Sequence, residues 1–237
     1  SWYDPNISKY TQMSGQEMQK HDPQEVDDYC FRTILSRRHD YVNINLAAGG
    51  SSNQKQFRLA EEYFNTDDYK KYDNVIVLWG ITSTARLDVW NNKKNRYVNF
   101  HLTKLPNLQW ATDHYNHDTE LSRLSTQMHH WDNYFEMIGV KNYWFDTFNH
   151  HDYTYDSPNM IMQHEKPRDL MSNLCIDMGH NSSMNNYHHS KWVLDDDRIK
   201  FLRKKNLVNP ITHHPNRECS ILLADMLDKF VNFCYYK

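Results

Sequence analysis

Nowhere does this sequence of 237 residues approach the roughly 18–20 consecutive apolar residues that a membrane-spanning helix needs, nor does it open with a basic stretch leading into an apolar one. The expectation is a soluble chain with no membrane partner. It starts at Ser1-Trp2 without an initiator Met, so a processed start or a lost first segment is expected. Its four cysteines, Cys30, Cys175, Cys219 and Cys234, lie far apart and form no C-x-x-C pair, which argues against a zinc knuckle or a dense disulfide framework and for reduced thiols. Neither sign of charge dominates: 27 basic and 30 acidic residues are mixed along the chain for a net charge of −3, so the electrostatic footprint of a nucleic-acid binder is missing. There is no internal repeat and no low-complexity tract.

What is present fits a single α/β domain over residues 1–237, with loop insertions at about 88–112 and 153–190. The hydrophobic share is 39% and the aromatic share 14%, so the apolar content leans on rings whose Tyr and Trp tips need polar partners and whose faces can line a groove. The organising stretch is Tyr41 to Phe64. It predicts a short buried strand at 41–46, a Gly49-Gly50-Ser51-Ser52-Asn53 turn, and a helix in which Phe57, Leu59, Ala60, Tyr63 and Phe64 recur at helical spacing. Ligands of open parallel sheets collect at the carboxyl ends of strands, where such a loop sits, and glycine lets backbone approach them closely.

Before that stretch, residues 1–22 read as a loop, and Asp22-Pro23 as a helix start leading through Val26, Tyr29, Cys30, Thr33 and Ile34 to an end near His39-Asp40. After it, Asn74 to Trp79 is an apolar, β-branched run suited to a central parallel strand, and its end loop, Gly80 to Arg86, should lie beside the glycine turn. Residues 88–112 lack a period and read as an insertion walling the site. Leu121, Leu124, Met128, Trp131, Phe135 and Ile138 step by threes and fours along a long amphipathic helix that Gly139 ends. A strand from Val140 to Phe148 follows. Short helices are expected around 168–177 and 195–202, and a closing helix over Arg217–Phe233.

His214-Pro215-Asn216-Arg217, just before that last helix, resembles the final block of the SGNH (GDSL-like) hydrolases; Asn45 to Asn53 is similar to their second block and Val75 to Arg86 to their third. The G-G-S-S-N and T-S-x-x-R wording resembles divergent bacteriophage versions, and the likeness covers the order of elements from about residue 24 onward. It implies a three-layer α/β/α fold with a short parallel sheet, flavodoxin-like in outline. It also implies ester hydrolysis without a cofactor, most plausibly of O-acetyl groups on a glycan by a virion-associated protein whose partners include other virion proteins. Residue by residue, it implies His214 as base, a nucleophile at Ser1 (or Ser14), and oxyanion or substrate contacts from Gly50, Asn53, Thr82, Ser83 and Arg86.

The sequence departs from the family in three places. No Gly-x-Ser turn occurs within it, Ile81 and Thr82 follow Gly80 where the third block has Asn, and Ile211 stands where the acid that orients the histidine is expected. Asp146, Asp152 and Asp197 are the candidate replacements. The alternative is a fold that has lost its chemistry and serves as a structural or carbohydrate-binding protein. The 15 histidines also raise a metal reading, from His114 and His117 on one helix face and His150, His151 and Asp152 at a strand end, but no H-E-x-x-H supports it and no metal is expected. Trp90, Trp110 and Trp192, in loops, are candidates for stacking on sugar rings, whereas Trp79, Trp131 and Trp144 read as core.

Overall fold

Parallel strands cannot be joined by a tight turn, and between residues 76 and 146 the chain supplies the crossover they need. In a computed structural model of the protein the elements are, in chain order, α1 (Phe31–Arg38), α2 (Asn53–Phe64), a 3₁₀ turn (Asp68–Lys71), β1 (Ile76–Ile81), β2 (Arg86–Asn91), β3 (Arg96–His101), α3 (Leu108–His114), α4 (His117–Ile138), β4 (Lys141–Asp146), α5 (Leu170–Asp177), α6 (Asp197–Lys204) and α7 (Arg217–Phe233). The structure describes residues 30–47, 51–102, 108–147, 151–161, 169–180, 197–208 and 215–233. They fall into two compact units, one formed by Leu46–Leu170 and one by Ser1–Asn45 with Met171–Lys237. The fold is α/β with a short parallel sheet.

In the first unit β1 and β4 pair in parallel, from Ile76 opposite Lys141 to Ile81 opposite Asp146. The β-branched and aromatic content of both runs suits a doubly covered position. Trp79 and Trp144 face each other in register and stack at 4.9 Å, with Phe57 of α2 against both. Phe64 of α2 meets Phe135 of α4 edge-on at 4.8 Å, so the two helices share one core with the strand pair. Each large side chain buried there contributes about 1.5–3 kcal/mol. Helix α4 forms where the three-and-four spacing places it: Asn116 caps its first turn by accepting from the Thr119 N–H, and Gly139 ends it at φ 72°.

One polar group enters this core. Asp132 of α4, 6% exposed, accepts hydrogen bonds from Asn142 Nδ2 (2.6 Å), Trp144 Nε1 (2.7 Å), Tyr155 Oη (2.9 Å), Ser157 Oγ (2.5 Å) and Asn159 Nδ2 (3.0 Å). It ties the helix to β4 and to the returning segment 153–161, whose Met160 bridges Trp144 on the side of β4 away from β1. Burial, then the hydrogen bond to Asp132, push the Tyr155 phenol up to about 12.

The second unit packs α1 against α7. Arg38 reaches Asp225 at 2.6 Å and Asp228 at 3.5 Å, and His39 Nε2 meets Asp228 at 2.6 Å. Asn216 accepts from the Cys219 N–H at 2.9 Å and so caps α7, while Pro215 bridges Val208. Arg198 of α6 donates to Ser172 of α5 at 2.6 Å.

Two expectations need correction. Residues 41–46 are not a buried strand: their backbone pairs with no strand among the described residues, and Tyr41, Val42, Ile44 and Leu46 are exposed. Alternating apolar residues make a strand only where a sheet edge receives them. Residues 88–112 are not an unstructured insertion, since β2 and β3 form an antiparallel hairpin closed over Asn91–Arg96, with Asn95 in the left-handed region at φ 47°, and α3 follows.

Replacing Asp132 with Ala leaves several buried donors without an acceptor and is expected to cost about 3–5 kcal/mol, read as a lowered urea midpoint; a loss under ~1 kcal/mol would refute the tie. The raised Tyr155 value carries a sign. The neutral phenol is favoured in the folded state, so its contribution is full below the unfolded value of about 10 and is lost as pH rises through about 12. A Tyr155→Phe variant should lose less stability than the parent over that interval in pH-stepped melts.

Candidate functional site

β1 and β4 end side by side, and three segments converge on their carboxyl ends. The first brings the head of α2. Ser52 Oγ accepts from the Lys55 N–H at 3.1 Å, the N-cap bond expected of Ser before a helix. Asn53 then reaches across to the β1 end, where Nδ2 donates to the Thr82 carbonyl and Oδ1 accepts from the Thr82 N–H, both at 2.9 Å. Gln56 Nε2 adds a bond to the Gly80 carbonyl at 3.1 Å. Gly80 sits in a tight place: a Cβ there would lie 3.0 Å from Thr147 Cγ2 and 3.3 Å from the Phe145 ring, so a neighbour would have to give by a few tenths of an ångström. Thr147 itself is fixed, because its N–H and its hydroxyl both donate to the Ile81 carbonyl, at 2.9 and 2.7 Å.

The second segment is the β1–β2 connection. Ser83 Oγ accepts from the Ala85 N–H at 3.2 Å, and the buried Thr84 hydroxyl meets Tyr115 Oη at 2.9 Å and His117 Nδ1 at 3.1 Å, which pins the connection to the start of α4. Burial pushes the Tyr115 phenol up. Arg86 is half-buried and makes no side-chain hydrogen bond or ion pair among the described residues; burial alone pushes its guanidinium below the ordinary value.

The third segment follows β4. Asp146, fully buried, accepts from His151 Nδ1 at 2.9 Å, from the His151 backbone N–H at 3.0 Å and from the Tyr153 hydroxyl. A carboxylate only accepts, so the proton of the neutral imidazole sits on Nδ1 and the lone pair on Nε2. That Nε2 is buried and has no partner among the described residues, and the same holds for the Ser51 and Thr82 hydroxyls. Buried polar groups are rarely left so. These three belong to segments meeting at one strand edge, which makes that edge the candidate site.

No family model, curated protein or solved structure matches this chain. The site therefore rests on its own geometry.

Of the residues singled out in the sequence, Asn53, Thr82, Ser83 and Arg86 lie in the first two segments, with the Asn53 amide engaged by Thr82 at both ends. Ser1, Ser14, Gly50 and His214 lie outside the described residues, as do His150 and Trp192. Asp152 and Asp197 are exposed, whereas Asp146 is bonded to His151. For the metal reading, no three His, Cys, Asp or Glu among the described residues stand close enough to share an ion. The Asp146–His151 pair went unrecognised because the two are five residues apart across a loop, a spacing no helix or strand period picks out. The one signal was their common position at the end of a strand.

Asn53→Ala removes both ties to Thr82 and takes the partner from its N–H and from its C=O in a buried position. It is expected to cost about 2–4 kcal/mol in chemical denaturation. A variant within ~0.5 kcal/mol of the parent would show that the α2 head and the β1 end are held by something else.

Proposed function

We propose that the protein is a serine-type ester hydrolase working at the carboxyl edge of β1 and β4, with His151 as general base and Asp146 as the acid that orients it. The observation that carries this reading is the buried Asp146–His151 pair with its Nε2 unpartnered. Such a base takes the proton from a hydroxyl as that oxygen attacks an ester carbonyl, and the imidazolium so formed is stabilised by the carboxylate behind it. The Tyr153 hydroxyl and the His151 N–H hold the same carboxylate and so fix the ring's orientation. Donors for the developing oxyanion come from the head of α2, where the first N–H groups have no intrahelical partner.

The resemblance to SGNH hydrolases supports the same chemistry at the same kind of sheet edge, within a three-layer arrangement, on an O-acetylated glycan and in a virion setting. It assigns the base to His214, and the acid normally three residues before that position is Ile211 here. His151 already has its acid. The nucleophile is Ser1 by resemblance and Ser51 by its burial at this edge. A fold shared with a family does not itself establish activity.

A second reading keeps the fold as a carbohydrate-binding or structural protein. Trp90, 47% exposed on the β2–β3 hairpin, and the exposed Trp110 support it, since exposed aromatic rings stack on sugar rings.

Fluorophosphonate labelling with peptide mapping separates these. One serine should be modified, and in His151→Ala, checked for folding by circular dichroism, the rate should fall about 10²–10⁴-fold. Asp146→Asn should fall with it. Labelling that survives in His151→Ala but disappears in His214→Ala would move the base to His214. A folded protein that is never labelled would leave the binding reading.

A further inference from the structure

The turn between β2 and β3 gathers positive charge on a fixed support. From Asn91 to Tyr97 the chain carries Lys93, Lys94 and Arg96 and no acid. All three residues are exposed, and their side chains have no hydrogen-bond or ion-pair partner among the described residues. Like charges this close repel one another, and an anion from outside the chain relieves the repulsion. The backbone beneath them is held. Asn91 closes the turn twice, its carbonyl accepting from the Lys94 N–H at 3.1 Å and its Oδ1 from the same N–H at 2.9 Å. Asn95, at φ 47°, then returns the chain to β3.

The adjoining pair of the ladder is Trp90 opposite Tyr97. Their rings meet edge-on at 5.2 Å, and Arg58, bonded to Asp88 at 3.0 Å, lies over the Tyr97 ring at 4.9 Å. Tyr97 therefore gives a face to Arg58 and acts as a brace. Trp90, 47% exposed, meets no other ring or cation among the described residues, and an edge-on neighbour covers at most one face of an indole. Lys93 is three residues from Trp90 and Lys94 three from Tyr97, about 10 Å of chain at most. Arg96 alternates onto the other face and adds its charge within the ~8 Å screening length rather than by contact.

An open indole with two ammonium groups a side chain's reach away suits a sugar ring that bears a carboxylate. The ring's C–H face stacks on the indole and the lysines pair with acid groups of the same or the next sugar. A single-stranded nucleic acid asks instead for successive open rings along a basic groove, whereas this chain, of net charge −3, offers one ring and one cluster here. A membrane surface asks for an apolar residue at the tip, which is Asn92-Lys93-Lys94-Asn95.

We infer that the β2–β3 hairpin binds an acidic polysaccharide, with Trp90 against a sugar ring and Lys93 and Lys94 on its carboxylates. This deepens the carbohydrate-binding reading by giving the glycan a charge, and it rests on that reading. The Asp146–His151 pair takes no part in it.

Calorimetry of the full chain tests this with polygalacturonate, with the same polymer after reduction of its carboxyl groups to neutral alcohols, and with single-stranded oligothymidylate. Polygalacturonate is expected to bind about tenfold tighter than its reduced form, and more weakly at physiological than at low salt. Lys93→Glu combined with Lys94→Glu should weaken that binding at least about tenfold, and Trp90→Ala about tenfold, each with the parent's far-UV circular dichroism. Equal affinity for the two polymers would overturn the inference and leave the carbohydrate-binding reading standing, whereas binding to neither would overturn both. Tighter binding of oligothymidylate than of polygalacturonate, or binding that survives the charge reversal, would also overturn it.

Discussion

A single buried carboxylate holds the larger unit in register. Asp132 projects from the middle of α4 into an aromatic core and is satisfied there by five donors from β4 and the segment behind it. Apolar contacts alone are non-directional and would let the helix slide along the strand; bonds to Asn142 and Trp144 fix one position. Because Ser157 and Asn159 join the same carboxylate, the chain leaving β4 must turn back along it, and that return carries His151 and Tyr153 past the strand end. The geometry at Asp146 is thus downstream of a structural acid on a different element.

The strand edge combines two kinds of polar group. Some are fully used: Asn53, Gln56 and Thr147 spend their hydrogen bonds on the backbone of β1 and its exit, which makes the edge rigid. Others have no partner among the described residues, namely the Ser51 and Thr82 hydroxyls and the His151 Nε2. Rigid support under unsatisfied groups is the arrangement that preorganises a site, because the unpaired groups cannot relax toward one another.

Much of the scaffold was legible in the residues. The spacing of Leu121 to Ile138, closed by Gly139, reads as a long amphipathic helix, and the apolar runs that became β1 and β4 are too short for helices, the first β-branched and the second aromatic. Asn53 does meet the loop after β1, through Thr82, although the strand at 41–46 from which that meeting was expected is absent. Residues 41–46 misled because Val42, Ile44 and Leu46 alternate like a half-buried strand, while pairing depends on residues distant in sequence. The β2–β3 hairpin was hidden by its charged and Asn-rich composition; its signal was Leu87 and Val89 alternating ahead of the Asn-Lys-Lys-Asn turn. The bonded Asp146–His151 pair has no sequence signature, since its two members appear only as one aspartate and one histidine among many.

Gly80 has a consequence for how such a site changes over time. With Thr147 held by the Ile81 carbonyl and the Phe145 ring on the other side, a side chain at the penultimate position of β1 is accommodated only if one of these neighbours shifts. The strand end can thus be redecorated only from Thr82 onward and from the residues after Asp146. Variation at this edge is channelled into those two exits, and the floor beneath them stays the same.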